Sequence, residues 1–413
     1  MADSKNIYDT IGHLQEDGAK GSNQMCLGQY NERLVLSLVR ESKGVTKADL
    51  ARMTLLTPQT VSVVVNRLLG GNYLKKGKIR RGKIGKPSTV FQLNPEGAYS
   101  IGVQIGRRSL DVVIMAFDGG ICQHEKVHYE YPQLDFVISE AGRLLTSLLK
   151  SLSPETYQRI TGIGIAVPGF LGTWESVIGA PKSSMSNWKD ISIADELHQF
   201  TNLPIYLLND VSAACLSELT LGKQHEINNF IYFYIGTLIG GGLVIGGQLF
   251  SGMTGNAGAV GSIPSYIAEN APPPQLIELA SLWKLEKEFT RKNISIDKLY
   301  KDEPLTGNSL NLFDTWSTEA ANAIAFSVLA GVSFVDLDSI IIDSTLPACS
   351  LGKIITKVKS ALKKYNLAGL TNPKLSSGSL GGQAKVLGGA FLPLYANFSP
   401  DRDLFMKLLK PTN

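Results

Sequence analysis

The sequence predicts an α/β protein: a small basic helical domain at the N-terminus, followed by a duplicated domain of two strand-rich lobes. Three observations predict it. Two short helices flank a tight turn within residues 45–70, seven cations follow within residues 75–86, and apolar strands with glycine-rich turns fill the rest of the chain. A chain of 413 residues that is 44% hydrophobic and 18% charged has the size for several domains and the composition of a folded protein.

Residues 45–70 have the pattern of a helix-turn-helix. Thr46 is placed to cap a first helix over residues 47–53. Thr57 is placed to cap a second helix that starts at Pro58, since a proline there loses no needed hydrogen bond. A preceding helix over residues 31–40 is expected to pack beneath both. Helical spacing turns four apolar side chains of the second helix inward: Val61, Val64, Val65 and Leu68.

The outer face of the second helix suits a DNA major groove. Short polar and methyl-bearing side chains contact base edges there. The residues expected on this face are Gln59, Thr60, Ser62, Val63 and Asn66.

The next segment has the charge of a DNA-binding wing. Its cations are interrupted by glycines and by no acid: Lys75, Lys76, Lys78, Arg80, Arg81, Lys83 and Lys86. Residues 31–94 contain 13 Lys/Arg and 3 Asp/Glu, a balance of +10 in a chain of net charge +4. Such a run alone is also typical of a solvated surface. Its position after a two-helix unit favours a winged helix-turn-helix whose cations contact phosphates.

Cysteine usage and hydropathy indicate a cytoplasmic protein without a membrane span. The four cysteines lie far apart, which favours neither a disulfide framework nor a zinc knuckle and fits a reducing compartment. The first 20 residues carry acids and no apolar core, unlike a signal peptide. The uncharged run at residues 320–335 is shorter than a membrane span and predicts a buried helix.

The strand pattern beyond residue 97 occurs twice. Residues 100–129 predict a three-strand meander, followed by a helix at 136–151, a buried strand at 160–167, and a short strand and helix at 206–221. A strand at 230–235, a glycine-rich turn at 236–242 and a strand at 243–245 begin the second set. Helices at 276–289, 315–335, 352–365 and 385–395 and a strand at 339–342 complete it. Two such units in tandem predict a two-lobed actin-like, sugar-kinase-like duplication.

The expected divisions of the chain follow from these patterns. They are a flexible arm over residues 1–20, a winged helix-turn-helix domain over 21–96, a first actin-like lobe over 97–225, and a second lobe with C-terminal helices over 226–413.

Four motifs in fixed order resemble the ROK family (repressors, ORFs and kinases). They are GIGIAVPG at 162–169, Asn209-Asp210 before an alanine-rich helix, GTLIGGG at 236–242 and GNAG at 255–258. The winged N-terminus, with Gly85-Lys86-Pro87, is similar to that of the family's repressors of sugar metabolism. The resemblance implies a sugar site that includes Asn209, Asp210 and Asn256.

The phosphate loops that the family's kinases use are altered in this chain. Where the resemblance implies an acid that helps to hold Mg²⁺, followed by small residues, this chain has Gln104 and then Arg107 and Arg108. Leu238 replaces a usual glycine of the second loop, and Asp343-Ser344 stand where a glycine pair is common beside the adenosine. These glycine-rich segments therefore favour tight turns over phosphate binding.

The sugar side also departs from the kinase pattern. Ala259 and Ser262 replace a glutamate and a histidine that the resemblance implies, and the family's zinc-binding cysteines are missing from residues 266–275. Ile277 stands where a further glutamate is expected, with Glu278 one residue away. Asp210 keeps the position of a general base, although it could equally cap the helix that follows. We predict no metal, no cofactor and no enzymatic activity.

The sequence thus predicts a DNA-binding transcriptional regulator, favouring a repressor of carbohydrate-uptake or catabolic genes, with a degenerate kinase-like domain as sensor. A homodimer on a pseudo-palindromic, double-stranded operator is expected, because one helix-turn-helix has limited contact area. The effector is expected to be a sugar or sugar phosphate. The bases would be contacted by Gln59, Thr60, Ser62 and Asn66, and the DNA backbone by Lys78, Arg80, Arg81 and Lys83.

Two alternatives remain open from the sequence. One is an ATP-dependent sugar kinase with a fused DNA-binding domain, which Asp210 alone supports. The other is a regulator whose ROK domain receives a protein partner instead of a sugar, which the losses at positions 259 and 262 favour. Activation instead of repression is also compatible with these residues.

Overall fold

The computed structural model describes residues 23–80, 87–169, 180–181, 185–189, 191–223, 227–265, 272–337 and 339–400. The expected arm at residues 1–20 lies outside this part of the chain. The described residues form a winged helix-turn-helix followed by two actin-like α/β lobes, as the sequence predicts.

The N-terminal unit contains three helices and a three-stranded sheet. Both predicted caps form: the Thr46 hydroxyl accepts from the Asp49 amide at 3.2 Å, and the Thr57 hydroxyl accepts from the Thr60 amide at 3.2 Å. The sheet order is β1-β3-β2. The elements are α1 (Asn23–Glu41), β1 (Val45–Thr46), α2 (Lys47–Thr54), α3 (Pro58–Gly70), β2 (Leu74–Arg80) and β3 (Ser88–Leu93).

The first lobe is a five-stranded sheet with helices against it. The predicted meander forms its antiparallel part, and the two later strands add in parallel to give the order β6-β5-β4-β7-β8. Its strands are β4 (Tyr99–Ile105), β5 (Ser109–Ala116), β6 (Ile121–His128), β7 (Ile160–Val167) and β8 (Ile205–Asn209). Its helices are α4 (Leu134–Ser151), α5 (Pro154–Gln158), α6 (Ile193–Leu197) and α7 (Asp210–Leu221).

The second lobe repeats this arrangement. Its order, β11-β10-β9-β12-β13, places an antiparallel meander beside two parallel strands, as in the first lobe. Its strands are β9 (Phe230–Ile235), β10 (Ile239–Ile245), β11 (Gln248–Phe250), β12 (Ser339–Ser344) and β13 (Lys374–Ser377). The helices that follow the first lobe are α8 (Leu276–Ala280), α9 (Leu282–Arg291), α10 (Gly307–Phe334), α11 (Ala348–Leu362) and α12 (Ala384–Phe398).

The glycine-rich segment at 236–242 is only partly the turn that the sequence predicts, because the bend between β9 and β10 is confined to residues 236–238. Gly240, Gly241 and Gly242 lie in β10 and pair with β9. Helix α7 packs so closely on this strand that a Cβ at Gly242 would lie 2.6 Å from the Cβ of Cys215. The glycines therefore permit a close helix–strand contact.

The predicted helix at 276–289 is also different, because it is divided at Ser281. The Ser281 hydroxyl accepts a hydrogen bond from the Ile239 amide at 2.9 Å and donates to the Ile277 carbonyl. Its side chain thus joins the helix break to the start of β10.

Helix α12 packs against the sheet of the first lobe, whereas the division made from the sequence groups the C-terminal helices with the second. The Ser100 hydroxyl donates to the Ala390 carbonyl at 2.5 Å. A Cβ at Gly102 would lie 2.6 Å from the Ala390 side chain. The last described helix, α12, therefore follows the second lobe in sequence but packs on the first lobe.

The winged helix unit joins the first lobe without a long linker. A 3-10 turn at Pro95–Gly97 leads directly into β4. One apolar cluster includes Leu93 of the wing sheet, Phe117 of the first lobe and Phe391 of α12. The two units therefore share a core.

Candidate DNA-binding surface and interlobe cleft

Helix α3 presents the side chains that the sequence assigns to base contact. Gln59 and Asn66 are exposed, and Thr60 and Ser62 are half-buried. Val63 lies between them and is 57% exposed, while the four predicted inward residues are buried. The helix thus has one apolar face in the core and one polar face open to solvent.

Two of these polar side chains already have partners. The Thr60 hydroxyl lies 2.9 Å from the Thr57 hydroxyl, within the N-cap of the helix. Lys47 Nζ donates to Asn66 Oδ1 at 3.2 Å, so the amide nitrogen of Asn66 is the end left to face a ligand. The sequence pattern did not indicate that Lys47 contributes to this surface.

The described part of the wing is strongly basic. Lys75, Lys76, Lys78 and Arg80 are exposed along β2. Arg80 also lies 3.4 Å from Asp49 at the start of α2, which places the wing beside the helix-turn-helix. Arg81 and Lys83, predicted to contact the DNA backbone, lie outside the described residues. The wing strand and α3 thus belong to one compact unit.

A cleft of about 1020 Å³ separates the two lobes and collects the motif positions. Asn209, Asp210 and Asn256 line it, as do Ala259, Ser262 and Ile277. The altered phosphate-loop residues Gln104, Arg107, Arg108 and Leu238 line it as well. The fold therefore brings together residues that are more than 150 positions apart in the sequence.

Asn209, and not Asp210, caps helix α7. Asn209 Oδ1 accepts from the amides of Val211 at 3.0 Å and Ser212 at 3.4 Å. Asp210 instead binds Lys385 Nζ through Oδ2 at 2.5 Å, with both side chains largely buried. The cap that the sequence allowed for Asp210 is thus wrong by one residue. The carboxylate that would act as a base is held by a cation.

An ion pair crosses the cleft at the altered phosphate loop. Arg107 Nη1, in the turn after β4, lies 2.6 Å from Glu286 Oε2 on α9 of the second lobe. The Tyr300 hydroxyl donates to the other oxygen of Glu286 at 2.5 Å. Burial, together with the charge of Glu286, raises the pKa of Tyr300, which keeps this donor protonated. We call Arg107 and Glu286 the interlobe ion pair.

Glu286 and Tyr300 were not among the residues singled out in the sequence. Glu286 lies 179 residues from Arg107. No local motif marks Glu286 or Tyr300. The nearest sequence candidate, Glu278, instead accepts from the Gln275 amide at 2.8 Å at the start of α8. Glu286 is recognised as the partner of Arg107 only from the packing of the two lobes.

Asp343, in place of a family glycine, has a structural role. Its Oδ2 accepts from the Tyr232 hydroxyl at 2.9 Å and from the Gly381 amide at 3.1 Å, and its Oδ1 accepts from the Ser344 amide at 2.8 Å. Burial raises the pKa of Asp343, and these donors oppose the rise. A Cβ at Gly378 would come within 2.3 Å of its carboxyl carbon. Asp343 thus ties the loop before α12 to the second sheet.

Among the described residues, no group of three or more His, Cys, Asp or Glu side chains could hold a metal ion. Residues 266–271, where the family's zinc ligands would lie, are outside that part. In the described portion of the chain, no helix has both the length and the hydropathy needed to span a bilayer.

Comparison with known proteins finds a family match in the domain behind the wing. The model of the ROK family matches residues 100–273 of this chain. A solved ROK family transcriptional regulator, described as a homologue of the Escherichia coli Mlc protein, covers 92% of this chain and is itself covered completely. Its TM-score is 0.63 at 17% identity, a likeness of fold.

Curated relatives include both repressors and a kinase. The xylose repressor of Bacillus spizizenii is 27% identical over 244 residues, 58% of this chain, and the chain spans 62% of that repressor's length. The DNA-binding transcriptional repressor Mlc of Escherichia coli is 22% identical over 68% of this chain and 70% of its own length. A glucokinase of Halalkalibacterium halodurans is 29% identical over 42% of this chain and 52% of its own.

Proposed function

We propose that this chain is a sequence-specific DNA-binding repressor of carbohydrate-uptake or catabolic genes, with its ROK domain as the sensor of a sugar or sugar phosphate. The observation that carries the proposal is the capped helix α3, with an exposed polar face beside a basic strand. The names of the repressor relatives support the same function, DNA-binding repression. The expected domain divisions, a cytoplasmic location and a homodimer on a pseudo-palindromic operator are parts of this proposal.

The assigned residues have separate tasks. Gln59, Thr60, Ser62 and Asn66 contact bases, while Lys78, Arg80, Arg81 and Lys83 contact phosphates. Asn209, Asp210 and Asn256 contact the effector in the cleft. A ligand that binds one arrangement of the lobes better than another shifts the population able to bind DNA.

The contacts in the cleft oppose catalysis. Asp210, in the general-base position, is bound by Lys385, and Arg107, in the first phosphate loop, is bound by Glu286. A kinase must instead leave the first group free to accept a proton and the loop open to phosphates. We therefore propose that the chain is not an enzyme, despite the glucokinase among its relatives.

A mobility-shift titration tests the DNA-binding function. The purified full chain is titrated against a duplex from its own promoter region and against a scrambled duplex of equal length and composition. Tighter binding to the promoter duplex, weakening with salt, is expected because each phosphate contact releases counterions. Equal affinity for both duplexes would refute sequence-specific regulation.

Two further assays test the sensor and the absence of turnover. Thermal unfolding against neutral sugars and sugar phosphates should show a rise in Tm for a ligand of the cleft, and Asp210→Asn should reduce that rise. ADP release with ATP and the same sugars should stay at background. Turnover that Asp210→Asn abolishes would make the chain a kinase.

A further inference from the structure

Helix α12 begins between the two lobes. Its Lys385 binds Asp210 of the first lobe, and Lys385 Nζ also lies 4.9 Å from the centre of the Tyr234 ring of the second lobe. Just before the helix, the Gly381 carbonyl accepts from the Tyr234 hydroxyl at 3.2 Å, and the Gly381 amide donates to Asp343. Both lobes therefore hold the start of α12.

The middle of α12 is packed without free space. A Cβ at Gly388 would lie 1.7 Å from the Ala213 carbonyl oxygen of α7, and one at Gly164 would lie 2.0 Å from the Gly389 carbonyl oxygen. Such close packing does not absorb a displacement locally. Such packing favours transmission of a shift from Lys385 to Phe391, about 9 Å away at 1.5 Å per residue, and this segment precedes Pro393, the proline inside the 15-residue helix.

The far half of α12 contacts the winged helix unit through Arg40 of α1. The Arg40 guanidinium lies 4.8 Å from the centre of the Phe391 ring and 5.2 Å from that of Phe117, and it donates to the Phe117 carbonyl at 2.7 Å. Further along, the Phe398 ring packs 5.2 Å from Tyr73, which directly follows α3 and its turn. One helix thus touches the cleft and the DNA-binding unit.

The contact between Arg40 of α1 and Phe391 of α12 depends on where the Phe391 ring lies. Among the described residues, no carboxylate lies within ion-pair distance of its guanidinium, and a carbonyl and two rings contact its charge instead. Burial lowers the pKa of Arg40 to about 10, so the group remains charged at neutral pH. The charges of Asp118 and Glu41 also favour this cation. A partly buried cation nevertheless depends on the carbonyl and rings that contact it directly. Movement of Phe391 therefore changes how strongly the Arg40 cation, and with it α1, is held against α12.

We propose that helix α12 transmits changes in the interlobe cleft to the winged helix unit, and that Arg40 is the residue that receives them. Lobe movement shifts Lys385 and the start of α12, the packed helix carries the shift to Phe391, and Arg40 moves α1 beneath helices α2 and α3. The regulatory meaning rests on the proposed function, but the mechanical link exists with or without DNA.

Hydrogen exchange followed by mass spectrometry tests the link on the full chain without any ligand. Lys385→Met removes the cleft contact of α12. Lys357→Met is the matched control, because Lys357 binds Asp314 and Ser317 within the second lobe. We expect Lys385→Met to speed exchange in residues 35–41 of α1 by about fivefold or more, the lower end of usual site-to-site coupling. Lys357→Met should leave them unchanged. Equal exchange of α1 in both variants would overturn the proposal.

Two further variants perturb the other end of the link, and they control for the possibility that Lys385→Met only destabilises the fold. Arg40→Met and Phe391→Leu leave every cleft side chain in place, and both should speed exchange in residues 381–386. Unchanged exchange there in both would overturn the proposal.

The promoter duplex separates this proposal from the proposed function. In wild type, bound duplex should slow exchange in residues 381–386 as well as in α3, and Arg40→Met should remove the first effect alone. Slowing confined to the winged helix unit would contradict the coupling while leaving DNA binding intact. If no duplex binds specifically, the proposed function fails, and the ligand-free variants still decide the link.

Discussion

Arg107 and Glu286 form an ion pair of 2.6 Å between the two lobes, and their side chains are only 13% and 5% exposed. An interaction so well shielded from solvent depends on both partners, since removing one leaves a buried charge. It occupies the place where the resemblance to the family's kinases implies a phosphate loop. The contact between the two lobes is therefore supported by the same arginine that departs from the kinase pattern.

The first prediction concerns this ion pair. Glu286→Gln should lower the free energy of unfolding by about 2–4 kcal/mol, because Arg107 loses its counter-charge while the size of the side chain is kept. Urea denaturation of both proteins measures the difference. Glu319→Gln is the control, since Glu319 pairs with Lys284 at the surface and should cost at most about 1 kcal/mol. Equal decreases in the free energy of unfolding would show that the interlobe ion pair stabilises the protein no more than a surface pair does.

The second prediction separates base contact from phosphate contact. Asn66→Ala should relax preference at one base pair by about 1–3 kcal/mol, because the proposed hydrogen bond from its amide to a base edge is lost. Arg80→Ala should weaken binding to all duplexes alike and reduce the salt slope by about 1. Competition binding against single-base variants of the promoter duplex measures both. Arg291→Ala, which breaks a surface pair with Glu288 in the second lobe, should change neither.

The third prediction concerns pH. Hydrogen bonds from Thr46, first among several causes, hold the pKa of Asp49 below its usual value of 3.8. A carboxylate with a depressed folded pKa stabilises the protein above its unfolded pKa and loses that contribution as pH falls through the folded value. Asp49→Asn should therefore cost about 0.5–1 kcal/mol at pH 7 and progressively less below about pH 4. Denaturation midpoints at pH 7, 5 and 3 measure this, with Glu303→Gln at an exposed site as control. A cost that grows on acidification would contradict the assignment.

The fourth prediction tests the packing of α12. Gly388→Ala should destabilise the protein by about 2 kcal/mol, since the new methyl group would meet the Ala213 carbonyl at 1.7 Å. Gly352→Ala is the matched helical control, because nothing lies within 4 Å of its Cβ position and alanine favours a helix. It should stabilise by about 0.5–1 kcal/mol. Chemical denaturation measures both changes, and stabilisation by both substitutions would show that helix propensity outweighs the contact at Gly388.

The sequence predicted those features that depend on local chemistry. The caps at Thr46 and Thr57 and the buried face of α3 follow from side-chain type and helical spacing, and all are confirmed. Strands at 160–167 and 230–235 were bounded correctly, because long apolar runs end at glycine or proline. The duplication into two similar strand-rich lobes is confirmed as well.

The features that the sequence did not predict depend on contacts between distant segments. The sequence analysis assigned Gly240 and its neighbours to a turn because glycine is common in turns. In the structure these positions lack side chains because α7 packs closely against them. Glu286 and Lys385 carry no motif, and their importance comes from partners 179 and 175 residues away. The roles assigned to Gln59, Asn66, Asn209 and the other site residues remain predictions.

The junction at Pro95–Gly97 has one further consequence. Because the wing sheet and the first lobe share a core, the chain has no slack there for the winged helix unit to swing. Two copies on one operator would hold their α3 helices at a separation fixed by the bodies behind them. A dimer of this kind would therefore bind only operators whose half-sites have the matching separation. Inserting a few base pairs between the half-sites should therefore abolish joint binding, since each added base pair also rotates one half-site around the duplex axis.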